Sequence, residues 1–85
     1  MKTFDYVIQD SVGIHARPAG LLVKAAKEFS SKIYVKKGET ASEATKLMSL
    51  MKLGVKCGDT VTVEIVGDDE EQAFTAMQTF FEENL

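Results

Sequence analysis

The sequence has one cysteine, one histidine and one proline, and no apolar run near the roughly 18 residues that a membrane span requires. Each shortage removes a class of answer. The lone Cys57 excludes an internal disulfide and any thiolate-cluster metal site. The opening residues Met1–Tyr6 carry Asp5 and no apolar h-region, so no secretory signal is expected there, and the cytoplasm is the expected address. No paired carboxylates, metal-ligand cluster or glycine-rich nucleotide loop stands out. Gly54-Val55-Lys56-Cys57-Gly58 lacks the Walker spacing, so neither metal nor cofactor is expected. What is present is 85 residues, 45% apolar and 27% charged, enough for one small soluble domain over residues 1–85 and too few for two.

The net charge of −3 argues against a general nucleic-acid binder, and its distribution is uneven. All ten basic residues fall in residues 1–56 beside five acids, whereas residues 57–85 hold eight acids and no base. Such asymmetry fits a face for acidic partners on one side, or simply a solvated acidic helix on the other.

Periodicity orders the chain as βαββαβα. Phe4, Tyr6 and Ile8 alternate with Thr3, Asp5 and Val7, which predicts a strand over Thr3–Ile8 with one buried face. From Ala16, apolar Ala19, Leu22, Val23, Ala26 and Phe29 form one helical stripe, predicting a helix of four turns. Ile33 and Val35 mark a second strand, and Lys37-Gly38-Glu39 turns into a short third near Thr40–Ser42. A short helix over Leu47–Leu53 ends at Gly54 as its C′ residue, and Thr45 is its expected N-cap. Thr60–Val66 is the strongest strand. In Asp68-x-x-Glu71 the spacing matches a capping box, predicting Asp68 as N-cap of a last helix whose stripe is Ala73, Phe74, Met77, Phe80 and Phe81. The expected class is α+β, an open-faced sandwich: a four-stranded antiparallel sheet with three helices on one face.

The one histidine sits in Gly13-Ile14-His15-Ala16-Arg17-Pro18. With His15 as helix N-cap, the backbone N–H groups of His15, Ala16 and Arg17 lack intrahelical acceptors. Pro18 then falls at the third helical position, where its missing N–H costs nothing. An imidazole beside unpaired N–H groups at the positive end of a helix is an anion site next to a nucleophile. Neutral imidazole can attack phosphorus, and the same N–H groups with the Arg17 guanidinium can accept the charge that arrives. Taken singly, a histidine near a helix start is an ordinary cap and an arginine near a loop is solvated. The combination is what points to chemistry.

This hexapeptide resembles the active-site signature of the HPr family, the histidine-containing phosphocarriers of the bacterial phosphoenolpyruvate-dependent sugar phosphotransferase system. The resemblance covers essentially the whole chain. It implies that His15 takes a phosphoryl group on Nδ1 from phosphorylated enzyme I and passes it to sugar-specific A components. It also implies that Arg17 contacts the phosphoryl oxygens, that Pro18 shapes the helix start and that the Ala16 N–H faces the anion. The chain would then be a stoichiometric carrier, not an enzyme, and a monomer with no direct membrane insertion. The family docks partners through its first and short helices, which here implies a face of Lys24, Lys27, Lys46 and Lys52 around Leu47, Met48 and Met51. Met48 and Met51 equally fit core filler, but with Leu47 and Leu50 in so short a helix all four can hardly be buried together.

One departure stands out. Where many Gram-positive members carry a regulatory serine opening the short helix, this sequence has Lys46, which cannot accept a phosphoryl group from a serine kinase. Thr45 and Ser49 read as cap and surface residues, and Cys57 as an incidental turn residue. A second function fits the same residues: a regulatory docking module in carbon or nitrogen control. A small metabolite-binding domain is disfavoured, because nothing besides His15 and Arg17 converges on a pocket.

Overall fold

A computed structural model describes residues 1–85. The chain forms β1 (Lys2–Val7), α1 (Ala16–Ala26), β2 (Lys32–Lys37), β3 (Thr40–Glu43), α2 (Leu47–Lys52), β4 (Thr60–Val66) and α3 (Glu70–Asn84). The strands make one antiparallel sheet in the order β1-β4-β2-β3. The strongly apolar β4 is therefore central, and its Val61, Val63 and Ile65 are wholly buried. Register aligns like with like: Val63 lies opposite Phe4 on one side and Val35 on the other, and Ile65 lies opposite Ile33.

That sheet face meets the helices in one core. Leu22 of α1, Leu50 of α2, and Met77 and Phe81 of α3 are fully buried against it. Phe81 makes edge-on aromatic contacts with Phe4 and Tyr6 of β1, at centroid distances of 5.8 and 5.6 Å. The other face stays polar, with Thr62 bonded to Asp5 at 2.7 Å and Lys36 paired with Glu64 at 2.9 Å. The βαββαβα sandwich is the architecture that the periodicity predicts.

Three local expectations are corrected. First, α1 has 11 residues, not four turns, although its stripe of buried Ala19, Leu22 and Ala26 is as expected. The Glu28 and Phe29 N–H groups bond three residues back, to Ala25 and Ala26, tightening the chain out of the helix. Ser30 and Ser31 then donate their N–H groups to the Asp69 carboxylate at 2.9 Å each, and the Ser31 hydroxyl donates to it as well. Second, the N-cap of α3 is therefore Asp69, not Asp68, and its carboxylate ties two loops together without capping its own helix. Glu70 makes the backward bond, accepting the Gly67 N–H at 3.1 Å. Third, Lys46, not Thr45, occupies the N-cap of α2, with no side-chain cap bond.

Candidate functional site

The site begins where β1 ends. Ile8 is locked to the 58–59 turn by paired backbone bonds, its N–H to Asp59 at 2.9 Å and its C=O from Gly58 at 2.8 Å. The chain then crosses the end of α3, where the Asp10 N–H donates to the Leu85 C=O at 2.8 Å. A tight turn follows: the Gly13 N–H donates to the Asp10 C=O at 3.0 Å, and the Val12 N–H to Asp10 Oδ1 at 2.8 Å.

Gly13 is the residue that this turn depends on. Its φ is +81°, and a Cβ there would lie 2.2 Å from the Val55 carbonyl oxygen. Only glycine meets both demands. The close approach lets the Ile14 N–H bond that same carbonyl at 3.1 Å and buries Ile14. The 54–59 loop is in turn stiffened by Asp59, which accepts the Lys56 N–H at 2.9 Å and pairs with Lys37 at 3.1 Å. The Lys56 N–H, then Lys37, hold its carboxyl below the usual aspartate range.

On that base the backbone of His15 is extended, with φ −121° and ψ −176°, and His15 is the N-cap of α1, as expected. Its carbonyl accepts the Ala19 N–H at 2.9 Å, while its side chain makes no cap bond and is left for other work. The N–H groups of His15, Ala16 and Arg17 find no acceptor in the protein. Pro18 occupies the third helical position and is buried, fixing the start of the helix without requiring a bond. His15, Arg17 and Pro18 share an open depression of about 320 Å³ with Asp10, Leu21 and Asn84. The ring is 38% exposed, Arg17 is exposed and forms no ion pair, and Asp10 Oδ1 lies 3.7 Å from His15 Nε2.

The depression thus offers one ring and one guanidinium beside a helix start with unpaired backbone donors, a combination suited to an anion, with the Asp10 carboxylate on the Nε2 side of the ring. Of the residues the sequence pattern singles out, His15, Arg17 and Pro18 come together here, and Ala16 lies between them as the first residue of the helix without lining the depression. The pattern does not single out Asp10, which reads only as loop chemistry. The signal was an Asp-x-x-Gly turn whose aspartate side chain reaches forward to a backbone N–H.

The lysines and apolar residues expected to flank the site are at the surface. Lys24, Lys27, Lys46 and Lys52 are exposed without ion pairs. In α2, Leu50 is fully buried while Leu47, Met48 and Met51 are 40%, 67% and 38% exposed. The methionines are thus surface, not core filler. On α1, Arg17, Leu21 and Lys24 fall at i, i+4 and i+7 and so share one outward stripe, and α1 packs directly on α2.

Comparison with known proteins gives a consistent result. Residues 2–83 match the family model described as the PTS HPr component phosphorylation site. The phosphocarrier protein HPr of Lysinibacillus sphaericus is 41% identical over 83 residues, 98% of this chain and 94% of that protein. The HPr-like protein Crh of Halalkalibacterium halodurans is 39% identical over 70 residues, 82% of this chain and 83% of that protein. Among solved structures, HPr-C-His from Thermoanaerobacter tengcongensis superposes with a TM-score of 0.92 at 41% identity, covering 98% of this chain and 93% of that one. An HPr dimer from the same organism superposes at 0.77, covering 98% and 95%.

Proposed function

The chain belongs to the HPr family, the phosphocarrier proteins of the phosphotransferase system, and from that membership we propose that His15 carries the phosphoryl group between phosphorylated enzyme I and sugar-specific A components. The observation that carries this reading is the unbonded ring of His15 sharing one depression with Arg17, at a helix start whose first N–H groups have no acceptor in the protein. The Nδ1 lone pair attacks phosphorus in line with the departing group. The phosphoryl oxygens then face the Arg17 guanidinium and the helix start, where Pro18 fixes the backbone. The protein is modified and demodified once per cycle, with the remaining catalytic groups supplied by its partners, so it acts as a carrier and not as a catalyst.

Partner docking uses the α1–α2 face. Lys24, Lys27, Lys46 and Lys52 steer acidic partners, and Leu47, Met48 and Met51 supply an adaptable apolar centre. A relay needs rapid release, so the interface should be small, near or below about 1,200 Å². A monomer in the cytoplasm, working as one unit over residues 1–85, suits that traffic, and sedimentation distinguishes it from a dimer like the solved relative. Neither nucleic acid nor direct membrane insertion has a part in this reading.

The test incubates the protein with enzyme I and phosphoenolpyruvate and compares intact mass before and after mild acid. One acid-labile phosphoryl group, absent in His15→Ala, is expected; full uptake by His15→Ala would refute the assignment. A second reading, a regulatory docking module, draws on the likeness to Crh. It predicts partner capture that is indifferent to His15 phosphorylation. Under either reading Lys46, exposed at the start of α2, sets the chain outside control by a serine kinase at that position.

A further inference from the structure

We infer that Asp10 is a positioning residue for His15: its carboxylate beside Nε2 keeps the ring proton there, leaves the lone pair on Nδ1, and becomes the counter-ion of the phosphorylated ring. The functional half of this inference rests on the carrier reading above, and its structural half does not.

Asp10 is held in place from three directions. Its N–H donates to the Leu85 C=O at 2.8 Å, its C=O accepts the Gly13 N–H at 3.0 Å, and its Oδ1 accepts the Val12 N–H at 2.8 Å. That same oxygen lies 3.7 Å from His15 Nε2. The separation exceeds a hydrogen bond, so the carboxylate acts on the ring through its charge. No lysine or arginine pairs with it, and Arg17 is the one other charged side chain lining the depression. The terminal carboxyl of Leu85, which accepts the Gln9 and Asp10 N–H groups, is the other acidic group packed against it and is the same in the wild type and in Asp10 variants. A neutral imidazole has one N–H and one lone pair, and which nitrogen holds the proton is set by what the other faces. A carboxylate on the Nε2 side attracts an N–H there and repels a lone pair. The lone pair is thereby assigned to Nδ1.

The transfer then balances without moving a proton. The Nδ1 pair forms the bond to phosphorus, and the bond between phosphorus and the donor breaks with its electrons leaving on the donor. The ring now holds phosphorus on Nδ1 and hydrogen on Nε2, and its positive charge faces Asp10. On delivery the electrons of the N–P bond return to Nδ1, and the ring is neutral again with Nε2–H intact. A carboxylate fixed at this spot favours both the reactive tautomer and the charged intermediate.

Two substitutions separate charge from scaffolding. Asp10→Asn keeps an oxygen for the Val12 N–H and removes the charge, whereas Asp10→Ala removes both. In the free protein, at a pH where the ring is neutral, long-range proton–nitrogen spectra should show the wild-type proton on Nε2. Both variants should shift the tautomer ratio toward Nδ1–H by about 1.4- to 5-fold, the range for an exposed charge pair. A wild-type proton on Nδ1, or a ratio that Asp10→Asn leaves unmoved, overturns the inference whether or not the chain takes up phosphate. In the phosphorylated protein, Asp10→Asn and Asp10→Ala should both move the pH profile of phosphoryl loss to lower pH. A purely structural role would leave Asp10→Asn on the wild-type curve. Failure of the wild type to accept any phosphoryl group would instead remove the carrier reading, with the spectra still deciding the Asp10–His15 pairing.

Discussion

Adding a single methyl group at each of three glycines tests whether the seating of the 9–14 turn on Val55 is what aims His15. At Gly13, alanine must adopt φ +81° and bring a Cβ to 2.2 Å from the Val55 oxygen and 2.7 Å from Lys56 Cα, both backbone atoms that no rotamer change can clear. The left-handed backbone costs about 1–2 kcal/mol. Displacing Val55 also loses the Ile14 hydrogen bond, about 0.5–1.5 kcal/mol. Gly13→Ala should therefore lose about 1.5–3.5 kcal/mol, or about 6–28 °C in Tm for a domain of this size. Gly54 has φ +66° with open space around it, so Gly54→Ala should lose only the conformational part, about 1–2 kcal/mol. Gly20 lies within α1 with nothing within 4 Å, and Gly20→Ala should gain about 0.5–1 kcal/mol. Urea unfolding followed by circular dichroism gives all three values. At a temperature where every variant is folded, phosphoryl uptake should slow in Gly13→Ala and hold at the wild-type rate in Gly20→Ala. Gly13→Ala no less stable than Gly54→Ala, with unchanged uptake, would refute the reasoning.

Other consequences follow from the same contacts. The Ser31 hydroxyl first, then the N–H groups of Ser30 and Ser31, hold the Asp69 carboxyl below its usual range. Its stabilisation is therefore complete above the ordinary carboxylate pKa and is lost as pH falls through the lowered one. Acid unfolding should consequently be shallower in Asp69→Asn than in the wild type, and matching slopes would contradict the clamp. Leu50→Ala should lose about 2–5 kcal/mol by opening a fully buried site. Met48→Ala, at a position 67% exposed, should stay within about 0.5 kcal/mol and instead slow transfer to partners, as read by the rate of phosphoryl delivery. His15→Ala should likewise unfold within about 0.5 kcal/mol of wild type, because the ring makes no cap bond.

The sequence expressed most of this architecture because most of it is locally encoded. Alternation in Thr60–Val66 needs no knowledge of partners to reveal a strand, and the stripe Ala19, Leu22, Ala26 reveals a helix face in the same way. His15 and Arg17 were legible for a related reason: one helix start arranges both. The misreadings share a different cause. Asp68 and Asp69 look equivalent by spacing, and the choice is made by Ser30 and Ser31, which lie 39 and 38 positions away in sequence from Asp69. The same clamp ends α1 a turn before its apolar stripe runs out at Phe29. Asp10 faces His15 only after the chain turns at Gly13, and that turn is seated by Val55 from a separate loop. Short-range pattern carries secondary structure, whereas long-range backbone contacts decide which carboxylate faces which group.

The most direct test of the central claim is to locate the phosphoryl group on the protein after reaction with enzyme I and phosphoenolpyruvate, using phosphorus–nitrogen and proton–nitrogen NMR on the intact chain. The account predicts phosphorus bonded to Nδ1 of His15 with hydrogen retained on Nε2. Phosphorus on Nε2, or on an oxygen of Thr45 or Ser49, would contradict it.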